Sequence, residues 1–111
     1  MTTCRPGDVV LVSFPFADQG QRKERPGVAV ANRGDNDVAV ARVTTQSYTT
    51  AFDLPVADWK AAGLLAPPTV RLHKLATIEK SLIGLRLGSL SASDRERASG
   101  ALRALWRDWG S

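Results

Sequence analysis

The chain has 111 residues, 43% of them hydrophobic and 23% charged, with 15 basic residues against 11 acidic ones. That length fits one domain, residues 1–111, able to bury about two thirds of its unfolded surface, and the composition excludes a disordered chain. The net charge of +4 favours a polyanionic partner, nucleic acid first, without requiring one. Cys4 is the single cysteine, which excludes an intramolecular disulfide and suits a reducing cytosol. The polar stretch Thr2 to Asp8 lacks the apolar core of a secretion signal, and no apolar run is long enough to cross a bilayer. The expectation is a cytoplasmic protein with no membrane partner.

Turn chemistry in Arg5-Pro6-Gly7-Asp8 leads into the β-branched run Val9 to Phe14, a buried first strand that Pro15 ends. Phe16 to Glu24 is a polar loop with Arg22 and Lys23 at its root. Arg25 then stands in the last loop position before Pro26. Proline fixes its own φ and keeps the preceding residue extended, so Arg25 is held where the loop becomes a strand. Its planar fork of donors suits a phosphate, although a solvated surface arginine satisfies the same local sequence.

Val28 to Ala31 and Val38 to Val43 form a hairpin around the turn Asn32-Arg33-Gly34-Asp35-Asn36. Thr44 to Thr50 is rich in hydroxyls, which strand propensity and turn bonding explain on their own. Phe52-Asp53-Leu54 suits a short strand. Val56, Trp59 and Ala62 recur at helical spacing between Pro55 and Gly63, predicting a mid-chain helix of about two turns. Thr69 to Leu72, Ala76 to Glu79 and Leu82 to Leu87 read as further strands, with Gly84 as a bulge. The last segment reads as a helix capped by Ser91 and Asp94, with Ala98, Ala101, Leu102, Leu105 and Trp109 as its apolar stripe and Gly110 as its stop. The fold class is mainly β, with α+β character from these two helices.

One histidine and one cysteine exclude the usual zinc spacings, and no carboxylate cluster suggests a two-metal nuclease. Asp35 and Asp37 lie close together, but a hairpin turn accounts for them. Gly84 to Gly88 lacks a phosphate-loop ending, and neither a dinucleotide fingerprint nor a nucleophile elbow is present. An enzyme built on this sequence works with no metal and no cofactor.

Taken together, Gly7-Asp8-Val9-Val10, Arg25-Pro26 opening a strand, and Val43-Thr44-Thr45-Gln46-Ser47 closing the next resemble the MazF/PemK family of toxin–antitoxin endoribonucleases. Val70-Arg71-Leu72, Lys74-Leu75 and Thr77-Ile78 resemble that family's later strands, and Leu90 onward its closing helix. The resemblance implies a small SH3-like β barrel, a homodimer, and metal-independent cleavage of single-stranded RNA by a 2′-hydroxyl, leaving a 2′,3′-cyclic phosphate and a 5′-hydroxyl. It implies catalytic roles for Arg25 and Thr44. His73, aligned with a carboxylate of several members, is the candidate general base, since an imidazole titrates near neutral pH. Arg22 and Lys23 are the candidates for phosphates, and Thr45 and Gln46 for base edges. The resemblance also implies an antitoxin whose acidic, disordered segment takes the RNA groove. Two other readings fit less of the sequence: a related barrel family that poisons gyrase by binding, and a plain SH3-like interaction module. Neither needs the Arg-Pro and Thr-Thr pair.

Overall fold

The structure, a computed structural model, describes residues 4–14 and 23–110, with Phe14 and Lys23 described in their backbone only. Strands β1 (Asp8–Phe14), β2 (Lys23–Ala31), β3 (Asp37–Thr44), β4 (Asp53–Pro55), β5 (Thr69–Glu79) and β6 (Ile83–Ser89) precede the C-terminal helix α1 (Ala92–Gly110), and a 3-10 turn, Lys80–Leu82, joins β5 to β6. They form one six-stranded sheet in the order β4-β5-β3-β2-β1-β6, with every pairing antiparallel. The sheet has two ends, β4 and β6, and is not closed.

Alternation along the strands builds a core on each face. Val9, Val28, Val43, Val70 and Leu72 pack with Leu90 and Ala98 beneath the helix, while Val10, Val12, Val38, Val40, Ile78 and Ile83 form a second cluster with Cys4. Asp8 joins the start of the chain to its last strand. Its carboxylate accepts from the Arg5 N–H at 2.8 Å and from the Ser89 hydroxyl at 2.7 Å.

Two strand boundaries differ from the sequence expectation. β2 begins at Lys23, so Arg25 and Pro26 lie inside the strand, opposite Val12 and Leu11 of β1. Thr69 to Glu79 is one continuous strand rather than two. It accommodates its polar middle through an irregularity: Ala41 pairs with Leu75 and Arg42 with Arg71, so Leu72, His73 and Lys74 are extra residues on β5. A smaller irregularity falls where Val10 and Val12 of β1 meet Arg86 and Ile83, around the predicted Gly84 bulge.

No mid-chain helix forms over Pro55 to Ala62. Pro55 ends β4, and residues 57–63 are turns. A single helical turn, in which the Ala62 N–H meets the Asp58 carbonyl, is closed at once by a Gly63-to-Lys60 bond and a Leu64-to-Trp59 bond. Gly63 has φ of +84°, so this is a Schellman stop with glycine in the left-handed position. The helical spacing of Val56, Trp59 and Ala62 was genuine, but one turn satisfies it.

The N–H groups that begin this turn are capped from a distance. Asp94, fully buried in the first turn of α1, accepts from Ala57 at 3.2 Å and Asp58 at 2.9 Å, and pairs with Arg97 at 2.9 Å. Ser91 accepts from the Asp94 N–H at 3.2 Å, the expected cap. Asp94 therefore spends its carboxylate on tertiary structure instead of completing a local capping box. Further along α1, Ala98 is buried and Leu102 packs on the core, but Trp109 is 88% exposed, so the apolar stripe ends before it. No helix among the described residues is long and apolar enough to cross a membrane.

Burial raises the Asp94 pKa, but bonds from the Asp58 and Ala57 N–H groups, Ser91 and the Arg97 charge outweigh it and hold it below the ordinary carboxylate value. A carboxyl with a lowered folded pKa stabilises fully above its unfolded value, about pH 4, and loses that contribution as pH falls through the folded value. Asp94→Asn is expected to lower unfolding free energy at pH 7 by about 2 kcal/mol and to flatten the loss of stability below about pH 4. Urea unfolding at pH 7, 5 and 3 checks this, and an unchanged acid slope contradicts it.

Candidate active site

Arg25 projects from β2 as an exposed side chain, and Thr44 is the half-buried last residue of β3. The β2–β3 register runs from Ala31↔Ala39 to Gly27↔Arg42. Arg25 and Thr44 each lie two residues beyond the final pair, Gly27↔Arg42, at the same end of the ladder. Thr44 is itself paired with Thr69 of β5. Its hydroxyl oxygen accepts from the Gln46 N–H at 3.1 Å, which closes the turn leaving β3 and leaves the hydroxyl proton free to donate. Thr45 and Gln46 follow as exposed residues.

Beside Thr44 lies a cluster that the sequence did not reveal. Asp53 of β4 is buried and accepts from Arg71 Nε of β5 at 2.9 Å and from the Thr50 hydroxyl at 2.6 Å. The Tyr48 ring covers the Arg71 guanidinium at 3.6 Å, and the Tyr48 hydroxyl donates to Gln46 Oε1 at 2.8 Å. Burial raises the Asp53 pKa, but the Arg71 bond, the two Thr50 bonds and the Arg71 charge prevail and hold it below the ordinary carboxylate value.

His73, unpaired with β3 at the β5 irregularity, joins the cluster two residues beyond Arg71 on the same face of the strand. Its Nε2 stands 3.5 Å from Arg71 Nη2, and its ring tilts against Phe52 with centroids 5.8 Å apart. Arginine only donates, so in this contact Nε2 is the ring atom placed to accept. Nδ1 is buried with no hydrogen-bond partner. Arg71 faces the Nε2 edge of the ring.

Arg22 lies outside the described residues, and for Lys23 only the backbone, paired with Phe14, is described. Arg71 escaped the sequence reading because an arginine on a strand resembles a solvated one; its position two residues before His73, on the same face of a strand, was the available signal. The Asp35 carboxylate bonds the Asp37 N–H at 3.2 Å, as hairpin chemistry predicts. Among the described residues no group of three or more His, Cys, Asp or Glu side chains is placed to hold a metal ion. A groove of about 360 Å³ runs between α1 and β2, lined by Leu72, Leu102 and Trp106 among others, and contains none of the candidate site residues.

A small antiparallel sheet with a C-terminal helix, carrying arginine, threonine and histidine side chains at one end, is the class that fold and site define. The family model for the PemK-like, MazF-like toxin of type II toxin-antitoxin system matches residues 5–106, and the chain belongs to that family. Solved structures share the fold. MazE-MazF (Form-II) from Deinococcus radiodurans superposes with a TM-score of 0.76 at 17% identity, covering 96% of this chain and 97% of that one. An endoribonuclease in complex with its cognate antitoxin from a mycobacterial species gives 0.75 at 20% identity, with 92% and 93% covered. The Mycobacterium tuberculosis toxin MazF-mt6 gives 0.74 at 22% identity, with 90% and 96% covered. A search among curated proteins gives no match.

Removing the Asp53 carboxylate tests the cluster. Asp53→Ala leaves the Arg71 charge without its partner and is expected to cost about 2 kcal/mol or more of stability in urea unfolding. The double variant Asp53→Ala with Arg71→Met is expected to recover part of that loss. No recovery contradicts the pairing as the cause.

Proposed function

We propose that this toxin-family chain is an endoribonuclease that cleaves single-stranded RNA without metal. The 2′-hydroxyl attacks the adjacent phosphorus, a bond from phosphorus to the 2′-oxygen forms as the bond to the 5′-oxygen breaks, and the products are a 2′,3′-cyclic phosphate and a 5′-hydroxyl. The observation that supports this reading is that exposed Arg25 and Thr44 each lie two residues beyond the last β2–β3 pair, at the same end of that ladder. A cation and a hydroxyl at one end of a ladder suit joint action on one phosphate.

The reaction needs a proton acceptor, stabilisation of the charge that builds on the phosphoryl oxygens, and a proton for the leaving oxygen. Arg25 supplies a fork of permanently charged donors to those oxygens. The Thr44 hydroxyl, oriented by the Gln46 N–H, donates its free proton to the same phosphate. His73 takes the 2′-hydroxyl proton at Nε2. Its 3.5 Å contact with Arg71 is long for a hydrogen bond, so a substrate hydroxyl competes for the lone pair at small cost. The imidazolium then holds the proton that the 5′-oxygen requires.

The same reading extends to the assembly. The working form is a cytoplasmic homodimer of single-domain chains, each an open version of the SH3-like barrel. RNA lies in the groove between the copies, with Arg22 and Lys23 on phosphates and Thr45 and Gln46 at base edges. An antitoxin with an acidic, disordered segment takes that groove by folding as it binds. The neighbours solved as toxin–antitoxin complexes support this partner.

The test is RNA cleavage in EDTA, with the product ends identified. Wild type is expected to cleave and to leave cyclic phosphate and 5′-hydroxyl ends. Arg25→Ala is expected to lose about 100-fold or more in rate while keeping its melting temperature, since the side chain is exposed. His73→Ala is expected to lose a similar factor and one limb of the pH–rate profile. Cleavage that requires magnesium or survives loss of Arg25 contradicts the mechanism; an unchanged rate and profile in His73→Ala removes the histidine from it.

A further inference from the structure

We propose that Tyr48 is the stacking platform for one unpaired base of the RNA, next to the phosphate held by Arg25 and Thr44; this rests on the endoribonuclease reading of the site. Arg71 is the reason the ring is fixed. Its Nε is committed to Asp53 at 2.9 Å, its Nη2 faces His73 at 3.5 Å, and its flat face lies under the Tyr48 ring at 3.6 Å. Only 14% of the Arg71 side chain is exposed, and the buried Asp53 carboxylate balances its charge. A guanidinium so engaged is poorly placed to take a phosphate. What it does instead is hold an aromatic ring from below, a cation–π contact strengthened by burial.

The ring is also held at its far end, where the hydroxyl donates to Gln46 Oε1 at 2.8 Å. Tyr48 is half-buried, so part of it stays open to solvent, and it is surrounded by exposed Thr45, Gln46, Ser47 and Thr49. Thr44 to Phe52 contains no charged residue. A fixed aromatic surface ringed by neutral donors and acceptors fits a nucleobase and not a phosphate. The Gln46 backbone N–H is bonded to the Thr44 hydroxyl, so the platform and the phosphate-binding threonine belong to one turn. With Oε1 taken by Tyr48, the Gln46 amide N–H donors remain for acceptors on the edge of the stacked base. Stacking supplies affinity, and Gln46 supplies the preference among bases.

The experiment compares two short oligonucleotides that cannot be cleaved by 2′-hydroxyl attack: a 2′-O-methyl RNA of mixed sequence, and an abasic strand that keeps the phosphates but has no bases. Fluorescence anisotropy gives their affinities for wild type, Tyr48→Phe, Tyr48→Leu and Tyr48→Ala. Tyr48→Leu and Tyr48→Ala are expected to weaken binding of the base-bearing strand by about tenfold or more, leaving the abasic strand and the salt dependence of binding unchanged. Tyr48→Phe is expected to bind like wild type. Equal losses on both strands, or none on the base-bearing one, overturn the platform. RNA cleavage measured in parallel separates the two claims. Tyr48-dependent binding without cleavage keeps the platform and removes the endoribonuclease reading; cleavage by wild type with Tyr48→Ala binding and cutting equally well removes the platform alone. Binding of neither strand by wild type removes both.

Discussion

The antiparallel register of β2 against β3 decides which side chains meet at the site. A one-residue slip in a ladder turns every side chain to the opposite face, and here it would move Arg25 to the face opposite Thr44. Two adjacent residues secure the register. A Cβ at Gly27 would collide with Val40 Cγ1, so glycine lets β2 lie close against β3 where the ladder ends. Pro26 has no N–H to give to β3, and it pairs with Leu11 of β1 on its other side. The β2–β3 ladder stops at Gly27, two positions from Arg25, which keeps its backbone on β1 while its side chain is exposed.

Two buried carboxylates hold the rest of the molecule to that sheet, and each does so by satisfying donors far away in sequence. Asp94 ties the first turn of α1 to the Ala57 and Asp58 N–H groups, so the helix and the connector after β4 are placed together. Asp53 ties edge strand β4 to β5 and fixes Arg71. Both have lowered pKa values because bonds received from N–H, hydroxyl and arginine groups outweigh the cost of burial. The contrast between arginines follows. Arg71 is enclosed by a carboxylate, an imidazole and an aromatic ring, whereas Arg25 is exposed with its charge available. An exposed cation and an enclosed one sit on the same sheet, distinguished by burial.

The strand cores were legible because β-branched runs such as Val9 to Val12 and Val38 to Val43 allow few other structures. The turn at Asn32 to Asn36 and the Ser91 cap were legible for the same reason, each resting on local chemistry. What escaped depended on partners distant in the chain. The continuity of β5 was hidden because His73 and Lys74 interrupt its apolar pattern, and only pairing with β3 shows them to be extra residues within a strand. Asp94 looked like a local cap because its true partners lie in another segment. Tyr48 and Arg71 looked like a loop aromatic and a strand cation until the fold placed one over the other. Family resemblance drew attention to Arg25, Thr44 and His73; the packing sets His73 Nε2 3.5 Å from Arg71 Nη2, a neighbour that sequence position alone does not reveal.

The central claim is that Arg25 and Thr44 act jointly on one phosphate. A double-mutant cycle on single-turnover RNA cleavage in EDTA, using Arg25→Ala, Thr44→Val and the two combined, tests it most directly. Groups that share a phosphate are expected to be strongly non-additive, with the double variant scarcely slower than the slower single one. Losses that simply multiply would mean that the two side chains act independently, and would contradict the account of the site.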